Sequence, residues 1–226
     1  MLYTAPMRIK IQTNTSKKIE ALTEITAKNQ QMYAQRHGYD WRCDYFEYDT
    51  PDFNQNALAS LHKLKQDIQS TDILMTVGAD VMFMNQWVKV QDIVQADDKV
   101  VVARERTAWW PLNNDVMLWV NKPETLALVD RFIADFHIWE QYQWRLQQHL
   151  WNLIQLDPQV RQTVRLVDDQ VMNRHPTRWQ LGDYIVHFYG MPIEEKVAKA
   201  RHMTVLFPNF LPVYGGGNVK PVPDVD

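Results

Sequence analysis

The spacing of apolar positions changes along the chain in a regular order. Arg8 to Thr13 alternates around Ile9 and Ile11, the period-two pattern of a half-buried strand. A helical pattern then runs to about His37, with Ile19, Leu22, Ile25, Met32 and Tyr33 as its apolar positions. Thr15 or Ser16 is the expected N-cap, and Gly38 the residue that ends the helix. Tyr39 to Tyr48, rich in aromatics and closed by Thr50-Pro51-Asp52, predicts a second strand. Ala57 to Gln69 carries Leu58, Leu61, Leu64 and Ile68 at helical spacing. Ile73 to Val77 is a continuous apolar run, too short for a typical helix and followed by Gly78, and so predicts a buried central strand. Strand, helix, strand, helix, strand implies right-handed crossovers and a mainly parallel α/β sheet.

Met82-Phe83-Met84 starts a second apolar piece beyond that strand. A short helix over Val88 to Val94 and strands over Val100 to Arg104 and Val116 to Val120 follow. Pro123 suits the first turn of a helix. From there to about Leu156 the pattern predicts two helices broken near His137, and Asp157-Pro158 ends the run. A strand, an acidic junction, a short helix and a strand ending at His187 come next, then a helix over Glu194 to His202. With no repeat or linker to divide it, the chain is expected to form one domain over 1–205. The Pro- and Gly-rich stretch 206–226 is expected to be an extended or disordered tail.

Composition narrows the class. A chain of 226 residues, 46% hydrophobic with nine Trp, nine Tyr and eight Phe, can fill the core of one sizeable domain. It also leaves aromatics for a cleft that stacks sugars or bases. The formal charge is −3 with Lys and Arg scattered, so there is no basic stripe for tight nucleic-acid binding. Cys43 is the single cysteine, which leaves no intrachain disulfide and no Cys-based zinc site. The N-terminus, MLYTAPMRIKIQTNTSKK, has neither a signal-peptide core nor a membrane-spanning run. The expectation is a soluble, cytoplasmic protein of a bacterium or of a virus-infected host.

The central strand ends at Gly78-Ala79-Asp80, which sets a carboxylate at a strand's carboxyl end, where open α/β sheets bind ligands. Four further stretches stand with it: NQQMYAQRHGYD (29–40), LNNDVMLWVN (112–121), DDQ (168–170) and GDYIVHFYG (182–190). In this order and spacing, over about residues 8 to 205, the chain resembles glycosyltransferase family 34, the galactosyl-, mannosyl- and xylosyltransferases. The resemblance implies a GT-A (Rossmann-like) fold, a nucleotide-sugar donor such as a UDP-sugar, a divalent metal (Mn²⁺ or Mg²⁺) and retention of configuration. A saccharide or glycoconjugate acceptor follows from it. A viral-type enzyme acting on a modified DNA base is a second version, which the acidic balance disfavours. A binding protein that has lost turnover with its D-x-D motif is a third.

Carried over residue by residue, the resemblance assigns Asp80 and His187 to the metal. It assigns Asp168, Asp169 and Gln170 to the sugar as catalytic residues. Lys63 (or the nearby Lys65), Asn113, Asn114, Asp115, Trp109, Trp110 and Gly190 form the donor- and acceptor-binding set. Two positions depart from the family pattern. Gly78 stands where D-x-D has its first Asp, and Asp115 where LN-x-G has its Gly. Asp72 cannot replace the missing carboxylate, because eight strand residues put it roughly 26 Å away; Asp115 is the candidate for compensation. Structural alternatives stand beside these assignments. Asp168 or Asp169 could cap the helix starting at Gln170, His187 could be a core histidine, the Trp pair could be core, and Lys63 could be solvated.

Overall fold

The computed structural model describes residues 6–45, 53–105 and 111–206. Its strands are β1 (Ile9–Thr15), β2 (Asp40–Tyr45), β3 (Ile73–Gly78), β4 (Val81–Phe83), β5 (Val100–Arg104), β6 (Leu112–Val120), β7 (Val164–Val167) and β8 (Ile185–His187). The helices are α1 (Glu20–His37), α2 (Phe53–Ser70), α3 (Val90–Ile93), α4 (Pro123–Ala134), α5 (Phe136–Trp139), α6 (Arg145–Leu156), α7 (Pro158–Thr163), α8 (Asp169–Met172) and α9 (Ile193–Leu206). Six strands form one sheet in the order β2-β1-β3-β6-β5-β7. Only β6 runs against its neighbours, so the sheet is mainly parallel, as expected. The remaining pair, β4 and β8, makes a separate antiparallel ribbon.

The apolar run of β3 is continuous because both of its faces are covered. Ile73, Met75 and Val77 join the cluster of Ile9, Ile11, Tyr33 and Phe83 on the α1 side. Leu74 points the other way, into Leu61, Leu64, Ile68 and Val129 of α2 and α4. Among the described residues no helix is long and apolar enough to cross a membrane.

Helix α1 differs from its sequence pattern. Leu22 and Tyr33 are buried as expected, but Met32 is exposed, and much of the buried face is polar: Thr23, Thr26, Asn29 and Gln30. These side chains hold the backbone that leaves the sheet after β3. The Thr26 hydroxyl donates to the Ala79 carbonyl (2.6 Å), and Gln30 Nε2 donates to the carbonyls of Gly78 (3.2 Å) and Val81 (2.9 Å). Asn29 clamps Phe83 from both sides, donating to its carbonyl (3.0 Å) and accepting from its N–H (2.7 Å). Gly38 ends the helix in the left-handed conformation (φ +68°), with its N–H on the Ala34 and Gln35 carbonyls.

Other boundaries moved for local reasons. The interruption between the two long helices lies at Glu140–Trp144, while His137 sits inside α5. Buried Asp135 ties the two segments, pairing with Arg131 behind it and with His149 of α6. Strand β6 begins at Leu112, because the polar residues 113–115 hid its first turn of pattern. Ser16 makes no side-chain cap. Leu206 closes α9; residues 207–226, 46–48 of the expected second strand, and the Trp109–Trp110 pair lie outside the described residues.

Asn29→Ala strands the buried N–H of Phe83 and leaves its carbonyl to Gln86 Nε2 alone (3.0 Å), while emptying a buried side-chain position, at roughly 1–3 kcal/mol for the orphaned donor. Urea unfolding is expected to show a loss of about 2–4 kcal/mol for this variant, against less than about 0.5 kcal/mol for the exposed Lys28→Ala.

Candidate functional site

The site is built where β3 runs out. Beyond Gly78 the chain turns into β4, which pairs with β8 in the register Val81–His187, Met82–Val186 and Phe83–Ile185. The Phe188 N–H closes the ribbon by donating to the Asp80 carbonyl (2.9 Å). This register sets His187 beside Asp80.

A third carboxylate arrives from β6. The β3–β6 register runs from Ile73–Val120 to Thr76–Met117, and beyond it the Asp115 Cβ lies 3.3 Å from the place a Cβ on Gly78 would take. On its other edge β6 is irregular, since β5 pairs Val102 with Met117 but Ala103 with Asn113. Residues 114–116 therefore bulge, a feature that re-aims side chains next to sites. Buried Asn113 fixes the bulge, accepting from the Asp115 N–H (2.9 Å) and donating to Glu105 (3.1 Å). The Asn114 N–H donates to Gln147 Oε1 (3.3 Å).

His187 Nε2 lies 3.1 Å from Asp80 Oδ1 and 3.4 Å from Asp115 Oδ2. One ligand atom of each residue lies within 4.8 Å of the others. The ring is wholly buried, yet Nε2 meets neither carboxylate in hydrogen-bond geometry. Nδ1 donates to Asn173 Oδ1 (2.6 Å), so in the neutral ring Nε2 carries the lone pair. Lys196, from the first turn of α9, places Nζ 2.6 Å from Asp80 Oδ2. Burial disfavours the imidazolium of His187, but the charges of Asp80 and Asp115 outweigh it and raise its pKa to about 9. Burial likewise works against the Asp80 carboxylate, and His187 with Lys196 more than reverses this, holding its pKa well below the usual range. Two carboxylate oxygens and an imidazole nitrogen are a donor set that suits a divalent ion such as Mn²⁺.

The other candidates fall in three places. Asp168 caps α8, accepting from the Gln170 N–H (3.0 Å), and Gln170 is exposed, with Nε2 3.4 Å from Asp183. Asp169 is wholly buried between Arg178 (2.7 Å) and Arg174 (3.5 Å). The same short helix leads to Asn173, the partner of His187, so DDQ and the histidine belong to one neighbourhood. Lys63 pairs with Asp44 (2.8 Å). In the strand register Asp44 adjoins Asn14, which adjoins Gly78, so this pair sits on the same rim, two strands and roughly 10 Å away. Gly190 (φ +68°) makes the turn that returns the chain from β8 toward α9.

Sequence reasoning missed Lys196 and Asn173. Lys196 follows Glu194 and Glu195 at the start of the last helix and looks like part of a solvated face. Asn173 sits just past the DDQ helix, and its spacing from Asp169 was the available signal.

No protein-family model matches the chain, and no curated protein sequence matches it. Solved structures do. A glycosyltransferase involved in the glycosylation of the major capsid of PBCV-1 superposes with a TM-score of 0.69 at 14% identity, covering 88% of this chain and 99% of that one. The galactosyltransferase LgtC, solved with donor and acceptor sugar analogues, gives 0.57 at 13%, covering 91% and 97%. GlyE, a glycosyltransferase of Streptococcus pneumoniae, gives 0.55 at 13%, covering 89% and 63%. The chain therefore has the fold of the GT-A type glycosyltransferases.

In the metal-free protein His187 holds its proton more tightly folded than unfolded, where its pKa is near 6.5. Its contribution to stability is complete below about pH 6.5 and is lost as pH rises through about 9. Ring NMR is expected to show a midpoint near pH 9, lowered in Asp80→Asn. Urea midpoints are expected to fall between pH 7 and 9.5 in the wild type and to fall less in that variant.

Proposed function

We propose that the protein is a glycosyltransferase that moves one sugar from a nucleotide-sugar donor to a saccharide or glycoconjugate acceptor. The donor we assign is a UDP-sugar, the metal Mn²⁺ or Mg²⁺, and the stereochemical course retention. The observation that carries this reading is the convergence of Asp80, Asp115 and His187 beside Lys196 at the carboxyl end of the central strand. Ligands of α/β sheets bind at that end. The GT-A fold supports the reading, and the family 34 resemblance supplies donor class and stereochemistry.

Asp80 and His187 would hold the cation, and Asn173 fixes the ring in the tautomer that leaves Nε2 free to ligate. A divalent cation bound there would supply Lewis-acid stabilisation of the charge on a departing diphosphate. Lys196 is a second positive charge at the same place, suited to the leaving group's remaining anionic oxygens. Asp168 is the partly exposed carboxylate of the DDQ stretch, suited to the positive charge that develops on the sugar. Gln170 can donate and accept at sugar hydroxyls. Asp169, locked between two arginines, positions α8. A leaving phosphate oxygen can take the acceptor's proton in a front-face reaction, so no protein base is required.

The burial of Asp169 favours one second reading, a nucleotide-sugar-binding protein without turnover, because it withdraws one of the two expected carboxylates from the sugar.

Many transferases slowly hydrolyse their donor, so the acceptor need not be known to test the proposal. Hydrolysis of nucleotide sugars is expected to require Mn²⁺ or Mg²⁺ and to fall by about 100-fold or more in Asp80→Ala and His187→Ala. UDP binding without hydrolysis of any donor would support the binding-protein reading. Hydrolysis that ignores both metal and substitutions would overturn the site.

A further inference from the structure

Two departures from the family pattern touch each other. The motif that should end β3 with a pair of carboxylates has Gly78 in place of the first, and the LN-x-G stretch has Asp115 in place of its glycine. We infer that the two are one reciprocal exchange. The carboxylate missing from β3 has moved across the sheet to β6, where Asp115 supplies the third metal ligand, and Gly78 is the vacated position that makes room for it. This rests on the metal reading of the site proposed above.

Register is the first support. The β3–β6 ladder runs to Thr76–Met117, and just beyond it the Asp115 Cβ sits 3.3 Å from the place of a Cβ on Gly78. Side chains at facing positions of an antiparallel pair project from the same face. A carboxylate can therefore reach one point beside Asp80 from either strand.

Space is the second. A Cβ on Gly78 would lie 2.9 Å from Asp80 Oδ1 and 3.3 Å from the Asp115 Cβ, so the Asp80 carboxylate would have to turn aside and Asp115 to give way by a few tenths of an ångström. Gly78 does not have the positive φ found at Gly38, Gly182 and Gly190, so its backbone conformation does not call for glycine. What calls for glycine is the room Asp80 and Asp115 need. A side chain on residue 78 would crowd Asp80 and Asp115 together.

The third support comes from the histidine. Nε2 of His187 is buried, has no well-formed hydrogen bond, and faces Asp115 as well as Asp80. Without Asp115 that nitrogen would face a single carboxylate already shared with Lys196. The bulge at residues 114–116 and the Asn113 turn deliver Asp115 to this point.

Mn²⁺ affinity of the full chain, read from the free-Mn²⁺ electron paramagnetic resonance signal, tests the exchange without relying on activity. Asp115→Gly and the near-isosteric Asp115→Asn are each expected to weaken binding by about 10-fold or more. Gly78→Ala, which removes no ligand, is expected to weaken it by crowding Asp80. The double variant Gly78→Asp/Asp115→Gly is expected to recover to within about threefold of wild type. Circular dichroism of each metal-free variant checks that it is folded. Asp115→Asn and Asp115→Gly binding like wild type, while Asp80→Ala does not bind, would overturn the exchange and leave the metal site standing. So would a folded double variant no better than Asp115→Gly. Absence of Mn²⁺ binding by the wild type would overturn the metal site and the exchange together.

Discussion

The backbone from Gly78 to Phe83 has to leave the main sheet, and there it loses the ladder partners that satisfy a strand. Buried peptide groups without partners are costly, so their hydrogen bonds must come from elsewhere. Thr26, Asn29 and Gln30 of α1 supply part of them, and the β8 ribbon and Gln86 supply others. Helix α1 buries a polar stripe for this reason. The position of Asp80 depends on this grip, and through β8 so does that of His187.

Charge sets the second condition. Asp80 and Asp115 face His187 and Lys196, two negative groups against two positive ones when the histidine is protonated. Buried charges are tolerable when paired, so the cluster can exist without any ligand. The pairing is also exchangeable. The Nε2 proton and the Lys196 ammonium occupy carboxylate positions that a divalent cation would claim, which would leave Lys196 for an anionic substrate. The neighbouring Asp169 is wholly buried against Arg174 and Arg178, whose own side chains are partly exposed.

Much of the architecture was legible because burial on both faces writes an unbroken apolar run at β3 and β5, and because Gly38 and Pro123 mark a helix end and a helix start. Asp80 and His187 were identified from motifs, and the short β4–β8 ribbon is what brings them together across a long sequence separation. Residues whose role is set by tertiary partners were not legible. Thr26, Asn29 and Gln30 break the apolar period of α1 and carry no local sign that a departing strand needs them. Lys196 reads as a solvated helix residue until α9 is laid against Asp80. Asp115 is legible as the candidate for compensation, but the approach of β6 that brings it beside Gly78 is not, because no spacing within one segment reveals it.

Whether Asp80, Asp115 and His187 form one cation site serving a nucleotide diphosphate is read from a crystal structure of the protein grown with Mn²⁺ and UDP, with the metal located by anomalous scattering. A shared site gives a peak bonded to Asp80, Asp115 and His187 Nε2, with the diphosphate beside it and Lys196 drawn off Asp80. A peak elsewhere, or UDP bound with His187 and Lys196 still closed on Asp80, would contradict it.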